Sequence, residues 1–283
     1  MAIILDTNQV GIFCNRLSKE PRLLSLDVIV PPNVLAELIL WRNQRSLNHL
    51  YALRLRVGLH LGDVMSALAN GNEDEIRAFR PFPSATSVNS ELYYKLVNAL
   101  KGPSDIQHQW ATDLKAKNKD FGGLMKKNAL DFRKIIRDKT SAHIINGTDK
   151  FASIEDAFAA FGKGADSFVG SIVNDAVSEG GKRQAAITNP DKLYDAIMAN
   201  PFVGGLFKII LFYILSYSRM WDHNHSNLNF DPTADRDDWT DMTVPLYAAP
   251  GDTILTRDTK LRDAITTVYG TGNLIVKKAD DLS

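Results

Sequence analysis

Ala2-Ile3-Ile4-Leu5-Asp6-Thr7-Asn8 opens the chain with an apolar run that stops at a carboxylate. An apolar run without polar alternation reads as a strand buried on both faces, and an acid at its carboxyl end stands where open parallel sheets gather ligands. Further on, Asp27-Val28-Ile29-Val30 reads as a second strand, closed by Pro31-Pro32. A helix starts there, with proline in its first turn, and carries Val34, Leu35, Leu38 and Ile39 as an apolar stripe. Between the two strands, a helix over residues 8–19 would align Val10, Phe13, Cys14 and Leu17. Strand, helix, strand, helix within residues 1–44 predicts an α/β fold with a parallel sheet.

The other end of the chain repeats the pattern. Thr253-Ile254-Leu255-Thr256 reads as a strand leading to Asp258, residues 260–268 as a helix, and Asn273-Leu274-Ile275-Val276 as a last strand. Strand-helix-strand at this spacing predicts that both ends share one sheet. A helix is also expected near 238–249, starting late or kinked because of Pro245. The middle, 45–225, has almost no strand pattern but several helix starts: Ser104 with Gln107, Ser153 with Asp156, Asn189-Pro190 and Asn200-Pro201. The predicted organisation is a discontinuous framework, 1–44 and 226–283, split by a mostly helical insertion, 45–225, that partly completes its core.

Composition narrows the function classes. The chain has 283 residues, with 33 Lys and Arg against 33 Asp and Glu, which excludes a strongly cationic binder. The single cysteine, Cys14, allows no internal disulfide and reads as a core residue. Gly204, Gly205 and Lys208 break the greasy stretch 201–217 before it reaches the ~20 residues of a membrane span. A helix buried on all sides, in a soluble cytoplasmic protein without membrane contact, is the expectation. Gly181-Lys182 is followed by Arg183, so no P-loop is present. His223 and His225 read as exposed loop histidines.

Four acids gather at the predicted sheet edge: Asp6 and Asp258 after strands, Glu37 on the helix after the second strand, and Asp241 before the Ile254 strand. Each also has an ordinary role, since Asp6 and Asp258 could cap the helices that follow them and Glu37 could be solvated. Together, carboxylates a few ångströms apart raise each other's pKa, and a hard divalent cation relieves them. The residues therefore predict a Mg²⁺ or Mn²⁺ site.

The order Leu5-Asp6-Thr7-Asn8, then Val30-Pro31-Pro32-Asn33-Val34-Leu35-Ala36-Glu37, then Asp241, then Leu255-Thr256-Arg257-Asp258 resembles the PIN-domain nucleases. The resemblance covers 1–44 and 226–283. It implies a three-layer α/β sandwich with a central parallel sheet, and a ribonuclease using Mg²⁺ or Mn²⁺. It implies Asp6, Glu37, Asp241 and Asp258 as catalytic metal ligands, with Asp238 or Asp237 as substitutes for Asp241. Asn8 and Thr256 would orient the carboxylates. The implied reaction is in-line attack of metal-activated water on phosphorus, leaving 5′-phosphate and 3′-hydroxyl ends.

Substrate charge points the same way. Residues 101–139 hold ten Lys and Arg against five Asp and Glu, whereas 231–258 hold seven acids against two arginines. Lys126, Lys127, Arg133 and Lys134 are the expected contacts to RNA, with Trp110 and Phe121 nearby for stacking and single-stranded DNA as a second substrate. A protein inhibitor is a further expected partner if the nuclease is a toxin; the oligomeric state is open. Two rival readings stand beside this one: a non-catalytic RNA-binding or scaffold protein on the same fold, and a haloacid-dehalogenase-type phosphatase. The phosphatase wants a second Asp where this chain has Asn8.

Overall fold

In the computed structural model the described residues are 2–41, 46, 55–59, 61–82, 108–117, 119–120, 123, 151, 153–161, 190–218, 241–270 and 275–282. The chain divides into two compact units: Met1–His60, Arg80–Asp120 and Val244–Ser283 in the first, Leu61–Phe79 and Phe121–Thr243 in the second. Of the described residues, 55–59, 80–82, 108–117 and 119–120 thus lie with the framework, and 241–243 with the helical part.

The first unit is built on an all-parallel sheet. Its four main strands are β1 (Ala2–Leu5), β2 (Asp27–Val30), β4 (Thr253–Leu255) and β5 (Ile275–Lys277). They run in the order β2-β1-β4-β5, and a short strand β3 (Leu55–Val57) extends the β2 edge. β1 pairs Ile4 with Ile29 on one side and with Ile254 on the other, so the two ends of the chain do share one sheet. The central strand is apolar throughout because both its faces are covered: Ala2 to Leu5 are all at most 4% exposed.

Helices α1 (Thr7–Leu17) and α2 (Pro32–Leu40) follow β1 and β2. Val10, Phe13, Cys14 and Leu17 of α1 and Val34, Leu35, Leu38 and Ile39 of α2 form one core with Ile3, Leu5, Val28, Val30 and Leu255. These were the predicted stripes. A helical stretch over 108–117 adds Ala111 and Leu114, and Trp110 packs against the same core. Trp110 is half-buried there, with part of its ring against the core. Helix α8 (Thr259–Tyr269) buries Leu261, Ala264 and Ile265, and packs along β5.

Two local expectations shift. In the segment near Pro245, Asp241 is α-helical, but the helix does not continue over the described residues that follow, and Val244–Tyr247 is a 3-10 turn. Proline has no N–H to give an α-helical ladder, and here its carbonyl accepts from Ala248 N at 3.1 Å instead. Strand β3 falls within the stretch expected to lack strands, because Leu55-Arg56-Val57 is too short to show a period. Next to it, Gly58 lies so close to Tyr247 that a Cβ would run into the ring. The Tyr247 hydroxyl donates to Leu59 O at 2.7 Å.

The second unit is helical among the described residues: α3 (Leu61–Asn70), α4 (Glu73–Ala78), α5 (Ile154–Phe161), α6 (Pro190–Ala199) and α7 (Val203–Tyr217). Of α7, only Lys208 escapes full burial, matching the expectation of a helix covered on all sides. No single helix among the described residues is long and apolar enough to cross a membrane. Asn200 joins three helices. Its Nδ2 donates to the carbonyls of Ile76, Arg77 and Phe79 at 2.9, 3.3 and 2.7 Å, closing α4. Its Oδ1 accepts from Phe202 N and Val203 N, both at 2.9 Å, opening α7. Ser153 Oγ caps α5 through Asp156 N at 3.0 Å, while Ser104 with Gln107 lies outside the described residues.

Candidate active site

Asp6 follows β1 and Thr256 follows β4, the adjacent parallel strand, so both stand at the carboxyl edge of the sheet. Asp6 occupies the position before α1, where an aspartate usually caps, yet its side chain makes no cap hydrogen bond. Asp258 behaves in the opposite way. It caps α8, its Oδ1 accepting from Leu261 N at 2.6 Å, which is the ordinary role the sequence allowed.

The Asp6 carboxylate is 2% exposed, and its Oδ2 accepts from two side chains. Thr256 Oγ1 donates at 2.5 Å and Asn8 Nδ2 at 2.6 Å. The Thr256 hydroxyl also accepts from Asp258 N at 2.9 Å, which commits its proton to Asp6. Asn8 Oδ1 accepts from Arg257 N at 2.9 Å and from Gln9 Nε2 at 3.0 Å, which commits its amide to Asp6 in turn. Asn8 and Thr256, the two orienting residues read from sequence, therefore stand in that geometry around Asp6.

Burial raises the pKa of Asp6 above the ordinary carboxylate range. Hydrogen bonds from Thr256, the Thr7 backbone and Asn8 oppose that rise, and the like charge of Asp258 adds to it. A buried acid beside another acid is a place where a cation is welcome.

The remaining predicted acids are placed differently. Glu37 is half-buried in the second turn of α2, behind the carboxyl end of β2. Asp241 is half-buried and belongs to the second unit, just before the chain enters the first at Val244. Asp237 and Asp238 lie outside the described residues, as do Lys126, Lys127, Arg133, Lys134, Phe121, His223 and His225. Among the described residues no three His, Cys, Asp or Glu side chains stand close enough to hold a metal ion. Among the described residues, Asp258 is the acid whose charge acts on Asp6. That pair suits Mg²⁺, which keeps several waters and takes one or two carboxylates together with substrate phosphate.

Sequence reasoning missed Gln9. It is fully buried, its Nε2 also reaches Asn8 O at 3.1 Å, and its Oε1 accepts from Ala279 N at 2.7 Å. The available signal was a lone polar residue one turn before Phe13, on the apolar side of α1.

No protein-family model, curated protein or solved structure matches the chain.

Proposed function

We propose that the protein is a metal-dependent ribonuclease of the PIN-like type, a three-layer sandwich whose sheet edge hydrolyses phosphodiester bonds to 5′-phosphate and 3′-hydroxyl ends. The observation that carries this reading is the Asp6 carboxylate, buried, spent on no helix cap, and oriented by Asn8 and Thr256 beside Asp258. Asp6 and Asp258 would hold Mg²⁺ or Mn²⁺; Glu37 and Asp241 are assigned to the ion on the resemblance. When bound, the ion supplies Lewis-acid polarisation of the phosphate and a water acidic enough to attack at neutral pH. The chain's part is preorganisation. Thr256 and Asn8 keep one oxygen of Asp6 satisfied and its orientation fixed, and the Leu261 N–H does the same for Asp258. RNA is the proposed substrate and single-stranded DNA a second one, with Lys126, Lys127, Arg133 and Lys134 as the contacts in a cytoplasmic protein.

One observation favours a non-catalytic RNA-binding protein on the same fold: the lack of a three-carboxylate group among the described residues. A single assay separates the two. Cleavage of RNA and single-stranded DNA is followed with Mn²⁺, Mg²⁺ or EDTA for the wild type and Asp6→Asn. Metal-dependent cleavage lost in Asp6→Asn is expected; cleavage in EDTA, or full activity of the variant, would contradict the site. Binding of RNA without any cleavage would favour the second reading.

A further inference from the structure

The C-terminal turn, Ala279–Asp281, is fastened to α1 at several points. Arg16 donates from Nη1 to Ala279 O at 2.5 Å and from Nη2 to Leu282 O at 2.7 Å, while Ala279 N donates to Gln9 Oε1 at 2.7 Å. The last of these bonds reaches beyond the turn. Because Oε1 is taken by a donor, the Gln9 amide must present Nε2 on its other side, and there it meets Asn8 Oδ1 at 3.0 Å. Asn8 can then offer only its Nδ2 to Asp6, at 2.6 Å. Every link runs from donor to acceptor in one direction, from the backbone of the C-terminal turn to the carboxylate. A reversed Gln9 amide would set oxygen against oxygen at Asn8 and nitrogen against N–H at Ala279. Gln9 and Asp6, at the two ends of the relay, are buried, while Asn8 between them is exposed, so the side-chain bonds themselves, and not exclusion of water, hold the Asn8 amide in place.

We propose that Gln9 is a positioning residue that ties the C-terminal turn Ala279–Asp281 to the site, setting the Asn8 amide and through it the Asp6 carboxylate. The inference rests on the nuclease reading for its catalytic consequence, but not for the relay itself. It makes the end of the chain a control point: Arg257 N also donates to Asn8 Oδ1, at 2.9 Å, so lifting the turn from α1 would remove one of the two donors that orient the Asn8 amide and loosen the hold on Asp6.

Three variants test it. Gln9→Met keeps the volume and removes both polar groups; Ala279→Pro removes only the N–H that orients Gln9; the double variant removes both partners, which relieves the buried donor left by the single change. The first readout is the Asn8 side-chain amide pair in ¹H–¹⁵N spectra and its exchange with solvent, taken without RNA or metal. The second is kcat and KM for RNA cleavage. Gln9→Met is expected to shift and deprotect the Asn8 amide and to lower kcat about 10- to 100-fold at nearly constant KM, the usual cost of losing a group that orients a ligand. The double variant should regain unfolding stability without regaining the Asn8 signal or kcat. An unshifted, protected Asn8 amide in Gln9→Met, or in Ala279→Pro if the former does not fold, would overturn the proposal. Cleavage unaffected by Asp6→Asn would remove the nuclease reading and leave the amide readout to decide the relay alone.

Discussion

Asp6 and Asp258 show how one residue type takes different roles in neighbouring loops. Both precede a helix, yet only Asp258 caps; the Asp6 carboxylate is drawn to Thr256 and Asn8. The cost of that choice has a defined sign. Burial raises the folded-state pKa of Asp6, so the native state binds more protons than the unfolded chain, whose aspartates titrate near ~3.9. Stability therefore falls as pH rises from about 4 to the folded pKa, and above it the penalty is fully present. In EDTA at neutral pH, Asp6→Asn should melt at a higher temperature than the wild type and lose that part of the pH dependence. Adding Mg²⁺ should raise the melting temperature of the wild type only. A variant that melts lower in EDTA would show that Asp6 is not held against its own charge. Thr256→Val tests the partner. It leaves the Asp258 N–H without its acceptor and Asp6 short of one bond, at a cost of about 1–3 kcal/mol in urea unfolding. A loss below ~0.5 kcal/mol would mean the hydroxyl is not committed as described.

At the scale of elements, Asn200 links three helices of the second unit through one side chain. Asn200→Ala removes the donor to three carbonyls, of which Ile76 O keeps Phe79 N, and the acceptor for two buried N–H groups, and should cost about 2–4 kcal/mol. Asn200→Asp keeps the acceptor for α7 but sets a carboxylate against the carbonyls of Ile76, Arg77 and Phe79, so it should be worse than Ala at neutral pH. Chemical denaturation of the two variants checks the order, and Asp being milder than Ala would refute the donor role. Elements of this kind differ in how far sequence betrays them. β1, β2 and β4 are legible because a strand covered on both faces must be apolar, and α1 and α2 because their buried stripes recur at helical spacing. The Val244–Tyr247 turn is not, since its hydrophobic residues fit a helix and only Pro245 argues otherwise. β3 is hidden by its length. In the site, Asp6, Asn8, Thr256 and Asp258 are legible by their places just after strands. Gln9 is not, because its meaning comes from Ala279, 270 positions later.

At the scale of the whole molecule, the two ends of the chain are joined in the first unit and the charges are divided along the sequence. Arg16 holds the C-terminal turn while paired with Glu20 at 2.6 Å, and the hydrogen bonds from Arg16 and Arg22 lower the pKa of Glu20 to about 2. The folded pKa is depressed, so this stabilisation is present above the unfolded value near ~4.3 and is lost as pH falls through about 2. Glu20→Gln should therefore lower the melting temperature at pH 7 but not at pH 2, and less in high salt, since the pair is partly solvated. Equal loss at both pH values would assign the effect to packing. On the proposed reading, the neutral total leaves binding of RNA to the distribution of charge along the sequence, with its basic surplus in 101–139. Each phosphate neutralised on a single strand contributes a slope of about 0.7 to log K against log salt. Charge reversal at Lys126, Lys127 and Lys134, if each meets one phosphate, should reduce the slope by about 2 and weaken binding of RNA of any sequence alike. Fluorescence anisotropy across a salt series checks this: an unchanged slope would move the RNA contacts off the basic stretch, whereas a slope lost only for one sequence would mean base reading in place of phosphate binding.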